Sequence, residues 1–202
     1  MFQITFLVEN VSEFWRVRLS DMMYELKNCR DGSIAPYKTT VEISEKDDIL
    51  TFKFFAEHTE FYCPHHNYND IHSEGDACEV LIGSDPERRF YYEIEISPEN
   101  KLMCALMENK GDDENGVPVL EINFIEIPFV ESDVVRTQNS YEATLSFRKD
   151  KILSGDGEIY FNAYRLETDG GETDKHLMAL NPTMKPKFHR PSHFLWLTDY
   201  LK

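Results

Sequence analysis

The sequence predicts an all-β fold: an antiparallel β-sandwich of jelly-roll or immunoglobulin-like kind, with at most one short helix. Three observations carry that prediction. Short runs of β-branched and aromatic residues recur along the chain. Several of them alternate apolar and polar residues with a period of two. Polar turn sequences separate them. Many strands joined by short turns close into a sandwich or a barrel, whereas βαβ units would place helix-patterned stretches between the strands.

Taken in order, residues 11–26 are the exception. Trp15, Leu19, Met22, Met23 and Leu26 recur at helical spacing and supply the one short helix. Residues 49–56 and 77–83 read as strands, as do 119–127 and 157–167, and 101–108 carries a weaker pattern. The clearest strand is 141–149, where Tyr141, Ala143, Leu145 and Phe147 point one way and Glu142, Thr144, Ser146 and Arg148 the other. Successive strand side chains take opposite faces, so this strand has one buried and one wet face. Residues 90–97 read the same way, with Tyr92, Ile94 and Ile96 opposite Tyr91, Glu93 and Glu95. Ser84-Asp85-Pro86, Ser97-Pro98-Glu99-Asn100, Gly111-Asp112-Asp113-Glu114-Asn115-Gly116 and Gly155-Asp156-Gly157 are the turns between them. Residues 168–175 and 181–187 are long and irregular. Loops at the ends of a sandwich are where ligand contacts gather.

The length of 202 residues suits one domain, 1–202, and 41% apolar with 13% aromatic residues is ample material for its core. A net charge of −16 repels phosphate backbones and anionic headgroups, so nucleic acid and membrane are poor partners and a neutral ligand or a cation suits better. No run approaches the ~18 apolar residues of a membrane span. The apolar start, 1–8, has no Lys or Arg ahead of it and stops at Glu9-Asn10, so no secretory signal is read and a soluble, cytoplasmic protein is expected. Cys29, Cys63, Cys78 and Cys104 are far apart and form no CxxC pair. They read as free thiols.

Three segments carry the functional information. The first runs Glu74-Gly75-Asp76-Ala77-Cys78-Glu79-Val80-Leu81-Ile82 and continues to Tyr91-Tyr92-Glu93-Ile94-Glu95-Ile96-Ser97-Pro98. The second is Gly157-Glu158-Ile159-Tyr160-Phe161-Asn162-Ala163-Tyr164-Arg165. The third is Asn181-Pro182-Thr183 followed by Phe188-His189-Arg190-Pro191 and Phe194. In order and approximate spacing, over residues 35 to 200, this resembles the carbohydrate-binding modules of family 9 and their DOMON relatives. The resemblance implies a non-catalytic β-sandwich that binds a saccharide or glycan end, often with calcium supporting the fold. By motif position it implies Glu79, Asn162 and Arg165 as hydrogen-bonding residues. Tyr92, Tyr160 and Trp196, with Tyr68, are the aromatic candidates, and His189 comes from the Phe-His-Arg-Pro step. Such a set suits a sugar, whose C–H face packs on aromatic rings while its hydroxyls pair with amide, carboxylate or guanidinium groups. The chain departs from the pattern where sugar-clamping members carry tryptophan: Ile71-His72-Ser73, Leu180 and Tyr160 stand at those places.

The same residues have plainer readings. Glu79 in an apolar strand is explained equally by a structural pair with Arg165, because a buried charge needs a partner. Asn162 and Arg165 are an odd number of residues apart, so a regular strand points them to opposite faces. His189 is also read as pinning the last strand. Asp70, Glu74 and Asp76 are candidates for a calcium site, since calcium takes several oxygen ligands. The Tyr62, His65, His66, Asn67, Asp70 and His72 cluster reads as a polar loop. No cofactor is required by any motif. No GxSxG, HExxH or P-loop occurs, so no enzyme is expected. The alternative to sugar binding is a sandwich that has lost it and acts in protein–protein interaction.

Overall fold

A computed structural model describes residues 23–58, 60–64, 66–70, 74–127, 129–152, 157–171 and 175–201. Two antiparallel sheets enclose the main core. The smaller runs β1 (Met23–Glu25), β3 (Thr39–Lys46), β4 (Ile49–Glu57), β10 (Ser140–Arg148) and β9 (Val130–Arg136) from edge to edge. The larger runs β2 (Lys27–Asn28), β12 (His176–Ala179), β11 (Tyr160–Glu167), β5 (Ala77–Gly83), β6 (Phe90–Ile96), β7 (Leu102–Asp112) and β8 (Pro118–Phe124), with the short β13 (Leu195–Trp196) also pairing β11. This is the expected β-sandwich.

Alternation builds the core. In β10, Tyr141, Ala143, Leu145 and Phe147 are buried, and their cross-strand partners Ala56, Phe54, Phe52 and Leu50 on β4 share the face. Phe52 meets Phe161 of the opposite sheet with ring centroids 5.4 Å apart, so each ring fills the gap left by the other. Burying one such ring contributes about 1.5–3 kcal/mol. The β3–β4 hairpin turns on Asp47 and Asp48, at φ 51° and 62°, the left-handed pair that a two-residue turn needs to follow the twist of its strands.

The larger sheet is buried on both faces. Val80, Ile82, Ile94, Ile96 and Phe161 face the smaller sheet. On the other side Ala77, Leu81, Tyr91, Met103, Tyr160 and Tyr164 form a second apolar layer with Phe188 and Phe194. Residues 181–194 lie across that outer face. The expectation of a wet face for 90–97 is therefore corrected: the strand alternates as read, but Tyr91, Glu93 and Glu95 are buried beneath this C-terminal segment.

The expected helix over 11–26 falls mostly outside the described residues, and its last part, Met23–Glu25, is strand. Helical structure among the described residues consists of three single 3-10 turns, Lys149–Lys151, Pro191–His193 and Leu197–Asp199. None of it is long and apolar enough to cross a membrane. All four cysteines are unpaired, as expected.

Candidate functional site

The C-terminal segment does not seal the outer face. Between it and the sheet lies a cavity of about 260 Å³. Its floor is Ala77 and Glu79 of β5, Glu93 and Glu95 of β6, and Met103 of β7. Ile122 and Phe124 of the edge strand β8 form one wall and Leu166 and Leu177 another. Pro186, Lys187, Phe188 and His189 form the roof.

Hydrogen bonds hold the roof in place. The Asn162 side chain faces outward from β11, donates to the carbonyl of Asn181 (2.8 Å) and accepts from its N–H (3.1 Å). The Tyr164 hydroxyl donates to the Phe188 carbonyl (2.9 Å), and the two rings stack with centroids 4.4 Å apart. Thr183 donates to the carbonyl of Lys187 (2.6 Å), curling 183–187 into a loop over the buried Cys29, whose Sγ lies 3.1 Å from the Thr183 hydroxyl. The segment is thus built onto the sheet by side chains that the outer face supplies.

The floor concentrates like charge. Antiparallel register sets Glu79 directly opposite Glu95, with Glu93 two residues along the same face. Each of the three offers a carboxylate oxygen within 4.8 Å of the others, and all are buried. Directly opposed like charges destabilise a sheet. Burial, and then the neighbouring carboxylates, push Glu79 well above the ordinary carboxylate range, and burial with Glu93 does the same to Glu95. Oε1 of Glu79 has no hydrogen-bond partner. His189 places Nε2 3.3 Å from Oε1 of Glu93 and Nδ1 3.2 Å from the Tyr91 hydroxyl. The cleft therefore offers carboxyl groups at its floor, apolar walls, and the Lys175 and Lys187 side chains in its lining, an arrangement suited to a ligand with hydroxyl groups on an apolar frame.

The residues singled out from sequence separate into different places. Glu79 and His189 line the cleft. Asn162 is fully buried and spent on the C-terminal segment. Arg165 points to the other face of β11, into the inter-sheet core, where it donates to the Thr39 hydroxyl (2.8 Å) and pairs with Glu167. The reading of a Glu79–Arg165 pair is corrected: strand parity puts the two on opposite faces, and Arg165 pairs two residues along its own strand. Tyr92 also faces inward and packs edge-on to Phe129. Tyr160 donates its hydroxyl to the Phe90 carbonyl (2.9 Å) and lies beneath Phe194 and Trp196, outside the cleft. Trp196 is 38% exposed, with the Arg88 guanidinium 4.7 Å from its ring centroid. The Tyr68 hydroxyl accepts the N–H of Ile127.

Asp70, Glu74 and Asp76 do not form a ligand group. Asp76 is buried and accepts from the N–H of Tyr62 (2.8 Å) and from the N–H and hydroxyl of Thr168 (2.9 and 2.7 Å), so its oxygens tie two loops together. Asp70 caps a turn by accepting from Asn67, and Glu74 is exposed. Glu93, Glu95, Phe124 and Phe188 are the cleft residues that sequence reasoning left out. The Glu-x-Glu spacing in β6 was the available signal, because a period of two puts both carboxylates on one face.

No family model and no curated protein matches the sequence. Solved structures do match. One is a protein from Bacteroides uniformis ATCC 8492 whose carbohydrate binding is inferred, at 12% identity and TM-score 0.67, covering 96% of this chain and 93% of that one. Another is a family 9 carbohydrate-binding module from Caldicellulosiruptor kristjanssonii in complex with glucose, at 10% identity and TM-score 0.57, covering 96% and 89%. A cellotriose complex of a family 9 module from the same organism matches equally, at 10% identity and TM-score 0.57, covering 96% and 88%. Over nearly its whole length the chain has the fold of the family 9 carbohydrate-binding modules.

Proposed function

We propose that the protein binds a saccharide, without cleaving it, in the cleft between the outer face of the larger sheet and residues 181–194. The observation that supports this best is the cleft itself: a floor of carboxylate acceptors flanked by the Phe124 and Phe188 side chains, on a fold whose neighbours are solved with glucose and cellotriose. Carboxylates accept hydroxyl protons in charge-assisted hydrogen bonds, and apolar side chains cover the C–H face of a sugar ring. A neutral ligand also avoids the repulsion that a net charge of −16 exerts on anions. The contacts come from Glu79, Glu93 and Glu95 and from the roof, not from Arg165, Tyr92, Tyr160 or Trp196.

One observation favours the rival reading of a sandwich that has lost sugar binding and meets a protein instead. Two polar residues matched to the family pattern, Asn162 and Arg165, are consumed inside the fold. Thermal unfolding against mono- and disaccharides, with calcium and with chelator, separates the two. A ligand at 100 times its Kd adds ~2.7 kcal/mol, which at this chain length raises the midpoint by roughly 5–10 °C. The expected result is a shift confined to one sugar class, with the sugar recovered unchanged. A flat panel at tens of millimolar, with calcium and without, sinks the saccharide reading.

A further inference from the structure

Buried carboxylates elsewhere in the described residues face opposite charge or several donors: Glu167 pairs with Arg165, although its Oε1 also lacks a hydrogen-bond partner, and Asp76 has three donors. The cleft floor differs. Glu79, Glu93 and Glu95 are 4%, 6% and 5% exposed, and of the three only Glu93 has an ion-pair partner among the described residues, His189. Oε1 of Glu79 is buried and unpartnered, in a side chain that lines the cleft. Removing several negative charges from water together is costly unless protons or a cation neutralise them.

The spacing suits one. Two oxygens bound to the same calcium lie no more than roughly 4.6–5.2 Å apart, twice the usual metal–oxygen distance, and the three carboxylates offer oxygens mutually within 4.8 Å. His189 lies beside them, with Nε2 3.3 Å from Oε1 of Glu93 and Nδ1 3.2 Å from the Tyr91 hydroxyl.

We infer that Glu79, Glu93 and Glu95, with His189 beside them, bind a divalent cation of the calcium or manganese class on the cleft floor. Three carboxylates leave coordination positions open in a shell of six to eight oxygens. Those positions face the cavity, where vicinal hydroxyls of a sugar would complete them. The cation site stands on the carboxylates alone, and only this second role rests on the saccharide reading.

The test is isothermal titration of the chelator-stripped full chain with calcium chloride and, separately, manganese chloride, in the wild type and in Glu79→Gln and Glu95→Gln. Glutamine keeps shape and volume, and circular dichroism checks each fold. One equivalent bound by the wild type, with affinity at least tenfold weaker in either folded variant, is expected. No binding of either ion by the wild type overturns the inference, as does binding unchanged in both variants, which would put the ion on a surface acidic turn. Heat with glucosamine hydrochloride but with neither metal would make the floor an ammonium site and also overturn it. The two readings fail separately. Saccharide binding undiminished by chelator sinks the role given to the cation in sugar binding, and metal binding with a flat sugar panel sinks the saccharide reading alone.

Discussion

Two groups of buried charge lie on opposite faces of the larger sheet, and they are resolved differently. On the inner face Arg165 pairs with Glu167, donates to Thr39, and has its guanidinium 5.6 Å from the ring centroid of Tyr141. On the outer face the neighbouring strands set three carboxylates together with one imidazole beside them. Register makes the contrast sharp. Cys78 pairs with Arg165, and the next residue, Glu79, turns to the other face. The inner group has the composition of a structural device, in which charge is neutralised within the protein. In the outer group like charges meet, which raises the carboxyl groups of Glu79 and Glu95 above their ordinary range, and the group lines a cavity. Burial of charge is thus not itself the mark of a site; incomplete pairing beside a cavity is.

The contrast breaks first at Arg165. Arg165→Met leaves Glu167 buried without its cation, and losing one partner of a buried pair costs about 3–5 kcal/mol. In a chain of this length that lowers the unfolding midpoint by roughly 6–20 °C. Saccharide affinity, measured well below the midpoint, should stay within about twofold. A normal melt together with lost sugar binding would move Arg165 to the ligand and undo the division of the two faces.

Glu79→Gln acts in the opposite direction. Glu79 and Glu95 have folded-state values above their unfolded ones, so across that interval the fold holds more protons than the unfolded chain. Their contribution to stability is fully present below about pH 4.5 and is lost as pH rises through the folded values. Glu167, pushed up to about 7 by burial, and Asp76, also raised by burial, shift the same way in both proteins, so the difference between wild type and variant isolates the floor. Without metal, Glu79→Gln should be the more stable protein at pH 7.5, by up to about 1 kcal/mol from relief of the opposed pair, and the two should converge near pH 4.5. Urea unfolding at both pH values reads this. A wild type that gains stability from pH 5 to 8 relative to the variant would mean the floor is already neutralised from within.

How much of this the sequence carried depends on range. The strand over 77–83 was legible to the residue, and the alternation of 90–97 placed Glu93 and Glu95 on one face. A period of two says that two faces differ. It does not say what covers the polar one, and here the cover comes from residues some 90 positions later, pinned by Asn162 and Tyr164. Motif position grouped Asn162 with Arg165, whereas parity separated them, and parity was the better guide. Asp76 looked like a metal ligand because its partners, Tyr62 and Thr168, are distant or main-chain donors. Thr39–Lys46 escaped notice as a strand because Thr39, Thr40, Glu42, Ser44 and Glu45 dilute its apolar signal, although Val41 and Ile43 are buried in the core.

Smaller effects test which aromatic side chains serve the ligand. Phe124 lies on an edge strand, half exposed, so Phe124→Ala should leave the melt nearly unchanged. Losing its contact with a sugar face should weaken binding about three- to tenfold, the equivalent of ~0.6–1.4 kcal/mol. Trp196 gives the converse. Its exposed ring lies over Tyr160 and beside Arg88, outside the cleft. Trp196→Ala therefore removes a cation–π contact worth about 0.5–1 kcal/mol of stability and should leave saccharide affinity unchanged in the same titration. If Trp196→Ala abolishes binding while Phe124→Ala does not, the sugar stacks at the Tyr160 end of β11, and the carboxylate floor serves its cation without touching the sugar.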